Sequence, residues 1–266
     1  MGTRMLARLA PSCLAALLLC SATACTDDAA LAEAEAALAE ARESVLDLDI
    51  ALEAMEGERD SLQAALETCT GCRGQVVGSL EAYGRSEAYA ESTRETMDEA
   101  KTWLAAKVKA RKRRSKAKFA IVLDIDETAL SNFQQLDETD FCYVPSEWDQ
   151  WVQTGEPKPI PGAVELIDFA NANDVAVVLI TGRKEPQRED TERALRAAGV
   201  DGWHELILRD EAERKISAAD YKSARRAKLE AEGFTIVLAI GDQNSDLEGG
   251  HAERTFLMPN PFYHID

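Results

Sequence analysis

Basic residues are scarce. Only 30 Lys and Arg stand against 48 Asp and Glu, a formal net charge of −18 over 266 residues. That deficit excludes a general nucleic-acid or anionic-membrane binder, which needs positive charge to displace counterions. Long apolar runs are missing as well: the stretch LAALLLC near the N-terminus is far shorter than the roughly 20 residues that span a bilayer. Between residues 29 and 68 there is no proline and a single glycine, Gly57, so nothing there breaks a helix. What is plentiful is apolar and charged side chains, 45% and 29% of the chain. That is enough for a full core, and it excludes wholesale disorder.

Arg4 and Arg8, then LAALLLC, then the small residues SATAC, make residues 1–24 a signal peptide. The stretch Ala22-Thr23-Ala24-Cys25 resembles the bacterial lipobox, which implies a lipid on Cys25 and a membrane partner through it. Ala22 stands where leucine is preferred, so ordinary cleavage near Ala24 is the alternative. The expected location is the cell envelope, periplasm or outer membrane, or else the secreted fraction. Removing residues 1–24 takes away two arginines and no acid, moving the net charge from −18 to −20. Cys69, Cys72 and Cys142 then remain, which suggests one disulfide plus an odd thiol in an oxidising compartment; the CTGC pair alone is a weak metal or redox signal.

From Ala29 to Thr68 apolar residues repeat every seven. Leu31, Leu38, Val45, Leu52 and Leu66 hold one heptad position, and Ala34, Ala41, Leu48, Met55, Leu62 and Cys69 the other; Arg59 interrupts the first series. Such a seam predicts a coiled-coil stalk over residues 25–74 and self-association into a homo-oligomer. The alternative is a single helix packed on its own domain or standing in solvent, since the seam is alanine-rich and the segment holds eleven acids against two arginines. Gly71 and Gly74 mark a break. A second helix is expected from Ser86 to about Ala110. The basic run after it, nine Lys or Arg and no acid over residues 101–118, suits a helix C-terminus or, alternatively, binds phosphate-rich ligands or headgroups.

Beyond Lys118 the pattern becomes α/β, and the domain is taken as residues 75–266. FAIVLD (119–124), VAVVLIT (175–181), ELILRD (205–210) and FTIVLAIGD (234–242) read as buried strands, with helices over Gly162–Ala172, Pro186–Ala198 and Ser217–Glu232. Continuous apolar strands alternating with helices predict a Rossmann-like parallel sheet with helices on both faces, its site at the carboxyl ends of the strands. At those ends stand Asp124 and Asp126, then Thr181, Gly182 and Arg183, then Asp242 and Asp246. Four converging carboxylates repel one another, which a divalent cation relieves; hard oxygen donors favour Mg²⁺. The set suits phosphoryl transfer: Asp124 attacks phosphorus, Asp126 moves protons, and Thr181 with nearby N–H groups binds phosphate. Lys222 is the expected cation, Lys215 the runner-up. Taken singly, an Asp after a strand is a cap and Thr-Gly-Arg a tight turn; the ordered combination is what points to a phosphoryl site. Arg183 is expected either on the substrate phosphate or in a salt bridge. Tyr143, Trp148, Trp151 and Phe133 belong either to the core or to a substrate-contacting segment. His204, His251 and His264 are assigned structural or surface roles.

These motifs resemble the haloacid dehalogenase (HAD) superfamily, and within it the subfamily IIIB secreted acid phosphatases, which include bacterial class B and class C enzymes and plant vegetative storage proteins. VLDIDETALSN is similar to the DxDxT motif, LITGR to the second, YKSARR to the lysine motif and IGDQNSDLEG to the terminal acid pair, at separations of 57, 41 and 20 residues. The likeness runs from about residue 85 to the C-terminus. It implies a HAD-type fold with a small cap segment and a phosphomonoesterase (an acid phosphatase, with nucleotides among the candidate substrates) working through an aspartyl-phosphate. Asp124 would be the nucleophile, Asp126 the general acid/base, and Thr181 and Lys222 the phosphate binders. Mg²⁺ would be held by Asp124, the Asp126 carbonyl and Asp242, with Asp246 a ligand or its neighbour. Ala129, Gln135 and the GDQNSDL loop depart from the class C pattern and leave the phosphate monoester substrate open. Two rivals use the same residues: an inactive storage or scaffold lipoprotein, against which retention of Asp124 speaks, and a phosphotransferase.

Overall fold

The computed structural model describes residues 28–111 and 117–265, with side chains from 32–61, 63 and 73 onward. The expected signal segment, Cys25, the centre of the basic run and the side chains of Cys69 and Cys72 lie outside the described residues. The Cys142 thiol is free and exposed. The chain divides into two units, Met1–Cys72 and Arg73–Asp266.

Helix α1 (Asp28–Gly84) begins in the first unit and ends in the second, and it continues through Gly71 and Gly74, where a break was expected; a glycine inside a helix costs only about 1 kcal/mol. Residues 32–61 are exposed except for half-buried Ala41, and the seam residues Leu38, Val45, Leu48, Leu52 and Met55 lie open to solvent. No helix among the described residues is long and apolar enough to cross a membrane.

In the second unit, α2 (Glu87–Ala110) starts where Ser86 Oγ accepts the Tyr89 N–H at 3.2 Å. It buries Met97, Ala100 and Leu104 on one stripe. Arg111, from the basic run, donates to the Asn173 and Asp174 carbonyls and so serves the end of another helix, α5 (Ala163–Ala172).

The sheet contains β1 (Lys118–Leu123), β4 (Ala176–Lys184), β5 (Glu205–Arg209), β6 (Phe234–Gly241) and the short edge strand β7 (Thr255–Leu257), in the order β5-β4-β1-β6-β7, with every pairing parallel. Side chains alternate between two cores. Ile121, Leu123, Val177 and Leu179 pack with α2, α5 and α6 (Arg188–Ala197) on one face. Ala120, Val122, Val178 and Ile180 meet Tyr221 and Leu229 of α7 (Ala218–Ala231) on the other. Burial on both faces explains why these strands show no polar alternation.

Between β1 and β4 lies the small cap segment: β2 (Leu130–Ser131), α3 (Phe133–Glu138), α4 (Pro145–Thr154) and β3 (Lys158–Pro159), with β2 and β3 antiparallel. Strand β4 runs past Thr181 to Lys184, so Thr-Gly-Arg ends a strand rather than forming a tight turn. Strand β7 escaped sequence reading because three residues carry no periodicity.

The β1–β6 register skips Val237, since Ala120 faces Ile236 and Ile121 faces Leu238. This bulge turns Val237 and Leu238 to the same core and frees the Val237 carbonyl, which accepts the Trp103 indole N–H at 2.8 Å. Trp103→Phe keeps an aromatic ring but removes that donor. It should cost about 1–2 kcal/mol, read as a lowered urea midpoint at unchanged slope.

Candidate active site

Strand β1 delivers Asp124 at its carboxyl end, and the ladder continues one residue further because Asp124 N–H donates to the Ile240 carbonyl at 3.0 Å. The first acid is therefore anchored on the sheet. The chain then folds back tightly: the Ile125 carbonyl accepts the N–H groups of Thr128, Ala129 and Leu130, and Glu127 takes the left-handed conformation at φ 53°, uncommon outside glycine.

Asp242 follows β6, and Asp246 lies in the short helix α8 (Asn244–Leu247). Asp124, Asp242 and Asp246 are each less than a tenth exposed and offer carboxylate oxygens within 4.8 Å of one another. Gly241 allows this approach, for a Cβ there would collide with the Asp246 side chain. Lys222, from α7, donates to Asp124 Oδ1 at 2.5 Å and to Asp246 Oδ1. Asp242 accepts from the side chains of Thr128, Gln243 and Asn260, and Asp246 Oδ2 accepts the Gln243 N–H.

One ammonium does not neutralise three buried carboxylates. Burial, reinforced by the other carboxylates against the pull of Lys222, raises Asp124 well above the ordinary range. Burial and Asp246 raise Asp242, although Gln243 and Asn260 oppose them. Burial would lower Lys222, but Asp124 and Asp246 outweigh it and hold the ammonium protonated. A buried cluster of hard oxygen donors with surplus negative charge fits a divalent cation.

Asp126 has different company. Arg183 Nη2 donates to Asp126 Oδ1 at 2.6 Å and Nε contacts both oxygens at 3.1 Å, while Asn132 Nδ2 donates at 2.9 Å. The Asp126 side chain is 18% exposed and stands outside the three-carboxylate cluster. Behind it, Glu127 accepts from the Asn132 N–H and amide and from the Tyr263 hydroxyl. Burial, with Asp126 adding to it, lifts Glu127 to about 8.

A cavity of about 610 Å³ opens over these groups. Asp124, Asp126, Gly182, Arg183, Lys222, Asp242 and Asp246 line it, with Phe141, Tyr143 and Trp148 as apolar wall. Arg183 lies against the Trp148 ring at 5.7 Å. Thr181 is fully buried, and its hydroxyl oxygen accepts the Arg183 N–H at 3.1 Å. Lys215 is exposed in the turn before α7 and does not line the cavity.

The aromatic residues divide. Tyr143 and Trp148 face the cavity, Phe133 packs in a cluster with Phe141 and Phe262, and Trp151 Nε1 donates to Asn132 Oδ1 at 2.8 Å. His204 packs on Phe234 and His251 on Glu230, in structural roles as expected, whereas His264 lines the cavity.

Sequence reading missed Glu127, Asn132, Gln243, Asn260, Tyr263 and Arg226. Arg226 is buried and donates to the carbonyls of Asp246, Glu248 and Gly250, which fixes the loop that carries Asp246. Glu127 and Asn132 lie within VLDIDETALSN, Arg226 ends YKSARR and Gln243 lies within IGDQNSDLEG, so these four had a local signal in the motifs.

A family model described as HAD superfamily, subfamily IIIB (acid phosphatase), matches residues 55–266. Acid phosphatase 1 of Solanum lycopersicum is 37% identical over 148 residues, covering 54% of this chain and 58% of its own length. The stem 28 kDa glycoprotein of Glycine max is 34% identical over 154 residues, covering 56% and 61%. The chain thus spans about three-fifths of the length of these curated relatives. The structure of the class C acid phosphatase from Bacillus anthracis superposes with a TM-score of 0.59 at 23% identity, over 71% of this chain and 85% of that one, a likeness of fold.

Glu127 gives the metal-free protein a distinctive pH dependence. Its folded-state value of about 8 lies above the ordinary 4.5, so between those limits the folded state holds a proton that the unfolded state releases. Stability therefore falls as pH rises through that window. Glu127→Gln, which cannot ionise, should flatten the fall between pH 5 and 8 by an amount on the order of several kcal/mol, measured by urea unfolding in EDTA.

Proposed function

Since the chain belongs to the HAD superfamily, subfamily IIIB (acid phosphatase), we propose that it is a Mg²⁺-dependent phosphomonoesterase acting on small-molecule phosphate monoesters, aryl or nucleoside monophosphates among them. The observation that carries this reading is the buried Asp124, Asp242 and Asp246 cluster pinned by Lys222. Asp124, Asp242 and the Asp126 carbonyl would hold the Mg²⁺, with Asp246 as ligand or neighbour. The ion supplies positive charge against the phosphoryl oxygens.

In the proposed reaction an Asp124 carboxylate oxygen bonds to phosphorus as the ester oxygen leaves, and the Asp126 carboxyl gives its proton to that oxygen. Asp126, now a carboxylate, takes a proton from water as the water oxygen attacks the aspartyl-phosphate. Inorganic phosphate departs and both acids return to their starting states. Lys222 holds Asp124 in place and meets the phosphoryl charge, while Gly182 and the N–H groups around it bind phosphate oxygens. Arg183 and Asn132 orient the Asp126 carboxyl, so that the two acids do different work from different surroundings.

The proposal extends to the rest of the chain. Residues 1–24 direct export, Cys25 carries a lipid, residues 25–74 form a stalk and residues 75–266 the phosphatase domain. Supporting the stalk is an exposed helix whose two heptad series present Leu38, Val45, Leu48, Leu52 and Met55 along one seam. A second copy of the helix is the partner that would cover it.

Asp124→Asn should lower turnover of p-nitrophenyl phosphate by at least about 10³-fold, since the nucleophile itself is removed. EDTA should abolish wild-type turnover and Mg²⁺ restore it. No hydrolysis of any monoester by wild type at any pH would overturn the assignment. For the stalk, Leu38→Glu with Leu52→Glu in the full chain should convert an oligomer to a monomer in sedimentation without loss of activity; a monomeric wild type refutes the seam.

A further inference from the structure

Gln135 is a polar side chain with nothing to do in the protein itself. It lies in α3, is 5% exposed, and its backbone carbonyl accepts from Thr139. Among the described residues its amide has no hydrogen-bond partner within the protein, and it is not one of the fully buried polar atoms left unpaired, so it is free to meet a ligand. The amide is not sealed in. Gln135 lines the catalytic cavity and also a second cleft of about 600 Å³, so it forms the partition between the two.

That second cleft differs from the catalytic cavity. Gln134, Glu138, Glu147, Gln150, Trp151 and Thr154 are among its walls, and no Lys or Arg lines it. No ion pair neutralises Glu138 or Glu147 among the described residues; Glu138 only accepts the Gln134 amide at 3.0 Å. Gln135 shares the wall of the catalytic cavity with Asp124, Lys222, Tyr143 and Trp148, so the part of a substrate beyond its phosphoryl group lies within reach of the partition.

We propose that Gln135 and the adjoining cleft form the leaving-group subsite, and that the group it accepts is hydroxyl-rich and not negatively charged, of the sugar or polyol type. This rests on the phosphomonoesterase reading. An amide both donates and accepts, which matches a hydroxyl that does both. Unpaired carboxylates accept further hydroxyl hydrogens, and the Trp151 indole offers an apolar face for the C–H side of a sugar ring. The same carboxylates repel a second phosphate or a carboxylate, so selectivity comes from repulsion as well as attraction. A flat apolar leaving group satisfies none of these donors and acceptors and leaves Gln135 as it stands.

Binding to the full chain carrying Asp124→Asn, measured by calorimetry with Mg²⁺ present, tests the subsite without needing turnover. Glucose 6-phosphate should bind about 10-fold tighter than inorganic phosphate, the gain of one or two hydrogen bonds, while fructose 1,6-bisphosphate should show no such gain. Adding Gln135→Leu should remove most of the advantage and leave inorganic phosphate affinity unchanged; Glu138→Gln with Glu147→Gln should instead admit the bisphosphate. Equal affinity for glucose 6-phosphate and inorganic phosphate overturns the subsite, as does a Gln135→Leu loss shared by both ligands, which marks a structural role. In otherwise wild-type protein, Gln135→Leu should lower kcat/KM for glucose 6-phosphate relative to p-nitrophenyl phosphate. Absence of all turnover with the binding contrast intact would sink the phosphatase reading and leave the subsite standing.

Discussion

One charge imbalance governs the site: a single buried ammonium, Lys222, faces three buried carboxylates. Lys222 forms ion pairs with Asp124 and Asp246 but not with Asp242, so two close attractions stand against three carboxylate repulsions, each on the order of 4 kcal/mol at an effective dielectric near 20. The attractions do not cancel the repulsions, and the cost of removing all four from water remains. Protons can meet that cost, which is why Asp124 and Asp242 are pushed upward. A divalent cation would meet it better, because it would add positive charge where the excess lies. The cluster is thus a poor place for the protein to rest alone and a good one for a charged ligand.

Groups that repel must be held, and each is held by a different device. Asp124 is an extension of the central strand, Asp246 sits on a turn stitched by Arg226, and Asp242 is gripped by Gln243 and Asn260. Lys222 comes from a helix on the second face of the sheet, through a core that also packs Tyr221 and Leu229. The two-sided sheet is therefore what brings a lysine from one layer and acids from two strand ends, those of β1 and β6, to one point.

The strands and helices of the domain were legible because their signal is local: three to six residues of unbroken apolar sequence, or a helical stripe closed by a cap such as Ser86. The convergence of the acids and Lys222 was legible because each follows a strand or lies in the opening of a helix within a recognisable motif, whereas Thr181 lies inside β4, buried and outside the cavity lining. Nothing local, by contrast, announces that Arg183 will close on Asp126, 57 positions earlier, or that Tyr263 will return from the C-terminal tail to Glu127. The Val237 bulge depends on registry between two strands, and Gln135 acquires its meaning only from the two hollows it separates. Pairings across the fold decide these, and a single sequence carries no trace of them.

The division between rigid strand ends and the inserted segment has a chemical consequence. The acids and the lysine of the proposed phosphoryl site come from the ends of β1 and β6 and from helices α7 and α8, whereas Gln135, Tyr143, Trp148 and Trp151 all come from the insertion between β1 and β4. Under the proposed function, leaving-group recognition could therefore change without disturbing the phosphoryl site. The two are nevertheless joined, for Trp151 donates to Asn132, and Asn132 donates to Asp126. An occupant of the outer cleft that presses on Trp151 acts through one side chain on the carboxyl that, in the proposed reaction, must protonate that same leaving group.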